Sequence, residues 1–306
     1  MDLETYEALG LHQSLSDVDP LRVVNGRANR EIQGSLSVPG DRQYHPCPEA
    51  FPADDVPRGH VASHRAWAGA RVYPGTTRDV RIYTPPGFDP KGPAPGVIVF
   101  NDGSWYLDRD GPVRAAAVLD SLIHAGEAPP TVAVFVMPGT NPDNPQQRSI
   151  EYDSLTGHYA RFLLEDLLPF VEGETGCALS SDPARRTVCG ISSGGICAFT
   201  AAWMRPDSFG RVLSHCGSFT AIRGGHNYPF LIRSTERKPI RVWMQSGSAD
   251  ADILFGNWPQ ANQAVAASLA FAGYDHRFVF GEGGHSLHHG GAVFADALRW
   301  LWRDGD

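Results

Sequence analysis

Uninterrupted runs of aliphatic and β-branched residues at 97–100 and 131–137, each bounded by turn residues, predict strands buried on both faces. A strand with one wet face alternates apolar and polar positions instead. Helical spacing at 113–125 lies between these two runs. The rhythm continues with a helix at 160–171, a strand at 186–191, an apolar helix at 195–204 and strands at 212–215 and 240–245. A helix at 259–272, a strand at 276–280 and a last helix at 292–302 complete it. Alternating strands and helices predict an α/β fold with a mostly parallel sheet covered by helices on both faces. Ahead of it, 71–73 and 80–84 alternate polar and apolar positions around Gly75-Thr76-Thr77, which predicts an antiparallel hairpin closed by Pro85-Pro86-Gly87. Residues 1–65 are rich in Pro, Gly, Arg and His and lack sustained periodicity beyond a polar amphipathic stretch at 1–15. They read as an N-terminal extension packing on one catalytic domain at 66–306.

Composition narrows the function classes. With 306 residues, 42% of them hydrophobic, the chain has the apolar mass for a large core. Its net charge of −8 repels polyanions, so neither nucleic acid nor an anionic membrane is an expected partner. No run approaches the roughly 18 apolar residues of a membrane span. Residues 1–10 carry Asp2, Glu4 and Glu7 and lack the basic start and apolar centre of a secretory signal, so a cytoplasmic protein is expected. Cys47, Cys177, Cys189, Cys197 and Cys216 form no C-x-x-C pair and read as reduced, buried thiols.

The sharpest chemical signal is Gly190-Ile191-Ser192-Ser193-Gly194, a Gly-x-Ser-x-Gly motif placed where the strand at 186–191 gives way to the helix at 195–204. The glycines permit a tight strand-to-helix turn that lifts Ser192 into an exposed, strained position at a helix N-terminus. A serine hydroxyl needs a histidine to take its proton and a carboxylate to orient that histidine. With this turn the partners follow in the order acid, then histidine, on loops after later strands. Asp250 follows the strand at 240–245 and His285 follows the strand at 276–280; Asp252 is the rival acid. The oxyanion of an acyl-transfer intermediate is expected to meet the amide of Ser193 and that of Gly103 or Ser104, in the loop after the strand at 97–100. His285, His288 and His289 imitate a metal cluster, yet no acid or thiol is interleaved at ligand spacing, so no metal is expected. His288 and His289 read as a solvated turn before a helix, or as the pocket mouth.

The motif at 190–195, the loop at 101–106, the stretch Arg148-Ser149-Ile150-Glu151-Tyr152-Asp153 and the ending Gly283-Gly284-His285 together resemble the enterochelin-esterase-like, esterase D related branch of the α/β-hydrolases, over residues 68–303. The resemblance implies a serine esterase with Ser192 as nucleophile, His285 as base and Asp250 as acid, and places Arg148 and Glu151 as a pair near the cleft. Known relatives cleave siderophore esters, acetyl or feruloyl esters on sugars, and small acyl esters. Asp102 departs from the His-Gly oxyanion turn common in other α/β-hydrolases. The expected substrate is a small-molecule ester, with no cofactor. Acyl transfer to an alcohol on the same residues and a silent binding module are the alternatives, and homo-oligomerisation is left open. Trp105, Tyr106, Tyr228 and Trp258 are candidates to stack on a sugar or aryl ring, and 218–229, with His226, reads as a cap or pocket loop. Arg148 and Glu151 read most simply as an ion pair ordering the loop at 138–152, with a clamp on an oxygen-rich substrate group as the functional alternative.

Overall fold

The computed structural model describes residues 38–303 and, ahead of them, the paired backbones of Val23–Val24 and Arg27–Ala28. The stretch expected at 1–15 lies outside these residues. Eight strands build one sheet: β1 His60–Trp67, β2 Arg78–Thr84, β3 Gly96–Asn101, β4 Thr131–Val136, β5 Arg186–Ile191, β6 Arg211–His215, β7 Arg241–Gly247 and β8 Asp275–Gly281. Their spatial order is β8-β7-β6-β5-β3-β4-β2-β1. The pairs β1/β2 and β2/β4 are antiparallel and the others parallel. From β3 the chain moves outward to β4 and later returns to lay β5 on the other side of β3. Their carboxyl ends therefore flank the crevice where α/β proteins place their sites.

Alternation along each buried strand feeds two cores. Val97 and Val99 of β3 pack with Val132, Val134 and Val188 under Ser193–Met204 and Trp258–Phe271, while Ile98 and Phe100 join Phe135, Leu213 and Trp243 under Ala115–His124 and Phe294–Trp302. Phe100 and Phe135 stack at 4.8 Å between ring centroids. Burial of each such ring contributes about 1.5–3 kcal/mol.

Two expectations change. The hairpin is formed by β1 and β2, so the partner of 78–84 is His60–Trp67 and not 71–73. The amides of Arg71 and Val72 donate instead to Asp166 Oδ2, at 2.9 and 2.8 Å. The helix expected at 160–171 is continuous but not uniformly α: a π turn, Leu163–Leu167, separates His158–Phe162 from Leu168–Thr175. Pro169 has no N–H for the carbonyl of Glu165, and Arg71 Nη2 donates to that oxygen at 2.6 Å. Two short helices, Gly103–Leu107 and Gln147–Asp153, occupy stretches read as loops, and a third, Tyr228–Ser234, starts at the end of the loop read at 218–229. No helix among the described residues is long and apolar enough to cross a membrane.

Candidate active site

The turn after β5 is built by exclusion of side chains. A Cβ on Gly190 would collide with the carbonyl of Gly194, and one on Gly195 would lie 2.8 Å from Ser214 Oγ. Ser192 between them takes φ 58°, ψ −124°, a conformation that costs a non-glycine residue about 1–3 kcal/mol. Four backbone bonds hold it there: its N–H donates to His215 O at 2.9 Å, and its carbonyl accepts from the amides of Gly195, Ile196 and Ser218 at 2.9, 3.2 and 3.0 Å. Asn101 at the end of β3 braces the turn from the far side, donating to Gly194 O at 2.9 Å while its own oxygen accepts from Tyr159 at 2.6 Å.

The loops after β7 and β8 bring two further groups to Ser192. His285 Nε2 lies 2.8 Å from Ser192 Oγ, and His285 Nδ1 lies 2.6 Å from Asp250 Oδ1. Asp250 is buried and also accepts from Ser246 Oγ and the Ala251 amide, at 2.8 and 2.7 Å, whereas Asp252 sits exposed in a small hairpin. With the Ser246 hydroxyl and the Ala251 amide both donating to it, the Asp250 carboxylate meets the imidazole as an acceptor, so Nδ1 carries the proton and Nε2 offers a lone pair. Trp258 is buried edge-on against the His285 ring, 5.6 Å between centroids, and props it. Cys216, Asp250 and His285 present ligand-type atoms within 4.8 Å of one another, but burial and the Asp250 charge push the Cys216 thiol up and keep it protonated. The segment before β1 secures the His285 loop: Asp41 Oδ1 accepts from the Gly284 amide at 3.0 Å, and Tyr44 Oη accepts from the Glu282 amide at 2.9 Å. The Tyr44 ring stacks on His289 at 4.2 Å, so His289 is buried under the segment and is neither a solvated turn nor a pocket mouth.

On the β3 side, Gly103 opens the helix Gly103–Leu107, and a Cβ there would overlap the Phe135 backbone. Ser104 turns its amide to Met137 Sδ at 3.5 Å and accepts Arg81 Nη1 at 2.6 Å. The expected pairing of Arg148 with Glu151 is not what forms. Arg148 grips Asp102 through Nε at 3.1 Å and Nη2 at 2.7 Å, beside the turn that leads into Gly103. Glu151 is fully buried and binds Arg78 at 2.7 and 2.9 Å, beneath the surface and out of reach of a substrate. Tyr106 is likewise buried, its hydroxyl 2.8 Å from His215 Nδ1, while its neighbour Trp105 is 50% exposed. Tyr228 is buried against Thr200 at 2.6 Å. His226 is exposed on the turn Gly225–Asn227 and meets Asn227, and Arg223 in the same loop donates to Ser149 Oγ at 3.1 Å.

His215 couples the stability of the fold to pH. Burial pulls its pKa from 6.5 down to about 3, so the folded chain holds it neutral. The unfolded chain binds this proton near 6.5, so the stabilisation is complete above that pH. It drains as the pH falls toward 3, by about 1.4 kcal/mol per unit. Denaturation midpoints between pH 6.5 and 4 are therefore expected to fall less steeply in His215→Gln than in wild type; equal slopes would assign the acid sensitivity elsewhere.

A mostly parallel sheet of this order, with a strained serine after β5 and an acid and a histidine after β7 and β8, defines an α/β-hydrolase. The chain belongs to the Esterase family, whose model, described as "Putative esterase", matches residues 72–301. It is 27% identical over 249 residues to the iron(III) enterobactin esterase of Dickeya dadantii, covering 75% of this chain and 52% of that protein. The chain thus spans about half the length of that curated relative. Among solved structures, the ferric enterobactin esterase of Salmonella typhimurium superposes with a TM-score of 0.64 at 23% identity, over 81% of this chain and 59% of the other. A CE1 ferulic acid esterase from Anaeromyces mucronatus, in complex with ferulic acid, gives 0.65 at 16% identity, over 88% and 97%. These two likenesses carry the fold.

Proposed function

We propose that this chain hydrolyses a small carboxylic ester through an acyl-enzyme on Ser192. The carrying observation is the unbroken relay from Ser192 Oγ through His285 to Asp250, at 2.8 and 2.6 Å. His285 takes the Ser192 proton as the oxygen attacks the ester carbonyl, then returns it to the departing alcohol; Asp250 fixes the tautomer and balances the imidazolium. The amides of Ser193, at a helix N-terminus, and Gly103 are the proposed oxyanion donors, with Asp102 and Arg148 ordering the second of them. Arg148 in this reading is a support for the loop, since the two nitrogens that face Asp102 are spent on it. The steps call on no metal or organic cofactor.

For the substrate, the names of the relatives support a siderophore-type lactone or a feruloyl ester, and Trp105, exposed just after the oxyanion turn, supports an aryl or sugar ring at the lip. A fluorophosphonate probe should label wild type on the peptide containing Ser192 and leave Ser192→Ala unlabelled. A panel of nitrophenyl, feruloyl, sugar-acetyl and lactone esters then ranks the acyl and alcohol groups. Absence of both labelling and turnover in folded protein would overturn the reading. The two acids separate in the same assay: Asp250→Asn is expected to lower kcat roughly 10³- to 10⁴-fold, because the imidazole loses its orienting charge, and Asp252→Asn less than about twofold. The reverse order would make Asp252 the acid.

A further inference from the structure

The loop after β6 carries a side chain to the reacting oxygen that the relay does not include. Cys216 takes φ 45°, and a Cβ on Gly217 would crowd Ser214 Oγ and the Phe219 ring, so the chain turns back sharply toward the Ser192 turn. Asn262 Nδ2 pins this turn by donating to Gly217 O at 2.9 Å. Ser218 follows, completely buried, with its amide on Ser192 O at 3.0 Å and its hydroxyl oxygen 3.2 Å from Ser192 Oγ.

Counting protons sets the direction of that last contact. Asp250 accepts only, so His285 Nδ1 donates to it and Nε2 offers a lone pair. The single Ser192 proton goes to that lone pair. Ser192 Oγ then faces Ser218 only with lone pairs, and the hydrogen between the two serines belongs to Ser218. Four groups are thus aligned in one sense, Ser218 to Ser192 to His285 to Asp250.

We propose that Ser218 is a fourth catalytic residue, donating to Ser192 Oγ whenever that oxygen becomes anionic; this rests on the ester-hydrolase reading above. In acylation the Ser192 O–H bond breaks, its proton passes to His285 Nε2, and the oxygen's electron pair forms the bond to the carbonyl carbon while the carbonyl π pair moves onto its oxygen. The adduct then collapses as the C–O bond to the alcohol breaks and the alcohol oxygen takes the proton from His285. In deacylation a water bonds to the acyl carbon while its proton passes to His285 Nε2, the C–Oγ bond breaks, the electron pair returns to Oγ with that proton from His285, and the carboxylic acid leaves. Ser218 keeps its own proton in both steps. Its bond is long for O–H···O in the resting state, where Ser192 is neutral, and it tightens as charge builds on Oγ. An interaction stronger in the transition state than in the ground state raises kcat and leaves KM alone.

The test compares wild type, Ser218→Ala and Ser218→Cys, the last keeping the shape with a weaker donor. With nitrophenyl acetate, Ser218→Ala is expected to lose about 10- to 100-fold in kcat with KM within about twofold, the range for one hydrogen bond to a charged group. The rate of inactivation by the fluorophosphonate should fall by a similar factor, since it reads the nucleophilicity of Oγ without substrate recognition, and Ser218→Cys should fall below wild type on both readouts. The thermal midpoints should stay within a few degrees of wild type. Wild-type kcat and inactivation rates in either variant would overturn the role of Ser218 and leave the ester-hydrolase reading standing. A loss spread over KM and accompanied by a large drop in thermal midpoint would overturn it in favour of packing. A wild type that neither turns over esters nor takes the probe would overturn both.

Discussion

Ser192→Ala is expected to lower kcat by about 10⁴- to 10⁶-fold, His285→Ala by a similar factor, and the double variant by no more than either alone. The reason lies in the relay geometry. Ser192 Oγ and His285 Nε2, 2.8 Å apart, act in one proton transfer, so the second substitution removes nothing that the first has left working. What survives is the oxyanion pocket and substrate binding, which do not depend on the serine hydroxyl. Turnover of nitrophenyl acetate above background, measured on all three variants, checks the claim. Near-wild-type turnover in Ser192→Ala would sink the mechanism, and additive losses would show that serine and histidine act in separate steps.

Glu151→Ala is expected to destabilise the fold by about 3–5 kcal/mol, because it leaves the Arg78 guanidinium charged and unpaired in the interior. The pair is completely buried: both Glu151 oxygens accept from Arg78, Gln147 Nε2 adds a bond at 2.7 Å, and Phe162 lies under the guanidinium at 4.2 Å. At roughly 2–4 °C per kcal/mol for a domain of this size, the thermal midpoint should fall by about 10 °C. Replacing both partners, Arg78→Met with Glu151→Leu, should recover much of that loss, since no lone charge remains. A Glu151→Ala midpoint within about 2 °C of wild type would mean that water reaches Arg78 once the carboxylate is gone.

The legible parts of the chain were those where one local rule dominates. The runs that became β3, β4 and β5 are buried on both faces, so their composition alone marks them. The Ser192 turn is written in glycines that sterics demand, and the meeting of Asp250 and His285 beside it follows from the order of strands. The edge strand β1 escaped because all of its residues are exposed or half-buried, which erases the contrast that reveals a strand. Ion-pair partners escaped for a different reason. Arg148 and Glu151 are neighbours in sequence, yet each is claimed by a group brought close only by folding, Asp102 and Arg78 respectively. Trp105 and Tyr106 make the same point within one short helix, where adjacent positions face about 100° apart and one ring reaches the surface while the other meets His215. Ser218 and Ser246 carried no signal, because a serine is useful there only by its distance to one oxygen.

The ties from Asp41 and Tyr44 to the loop of His285 join positions some 240 residues apart and involve no strand of the sheet. Breaking them disrupts no strand pairing, and such a local opening costs less than unfolding the whole domain. Losing this hold on the His285 loop and losing the fold are then separate events. The thermal midpoint of the domain does not report on these two ties.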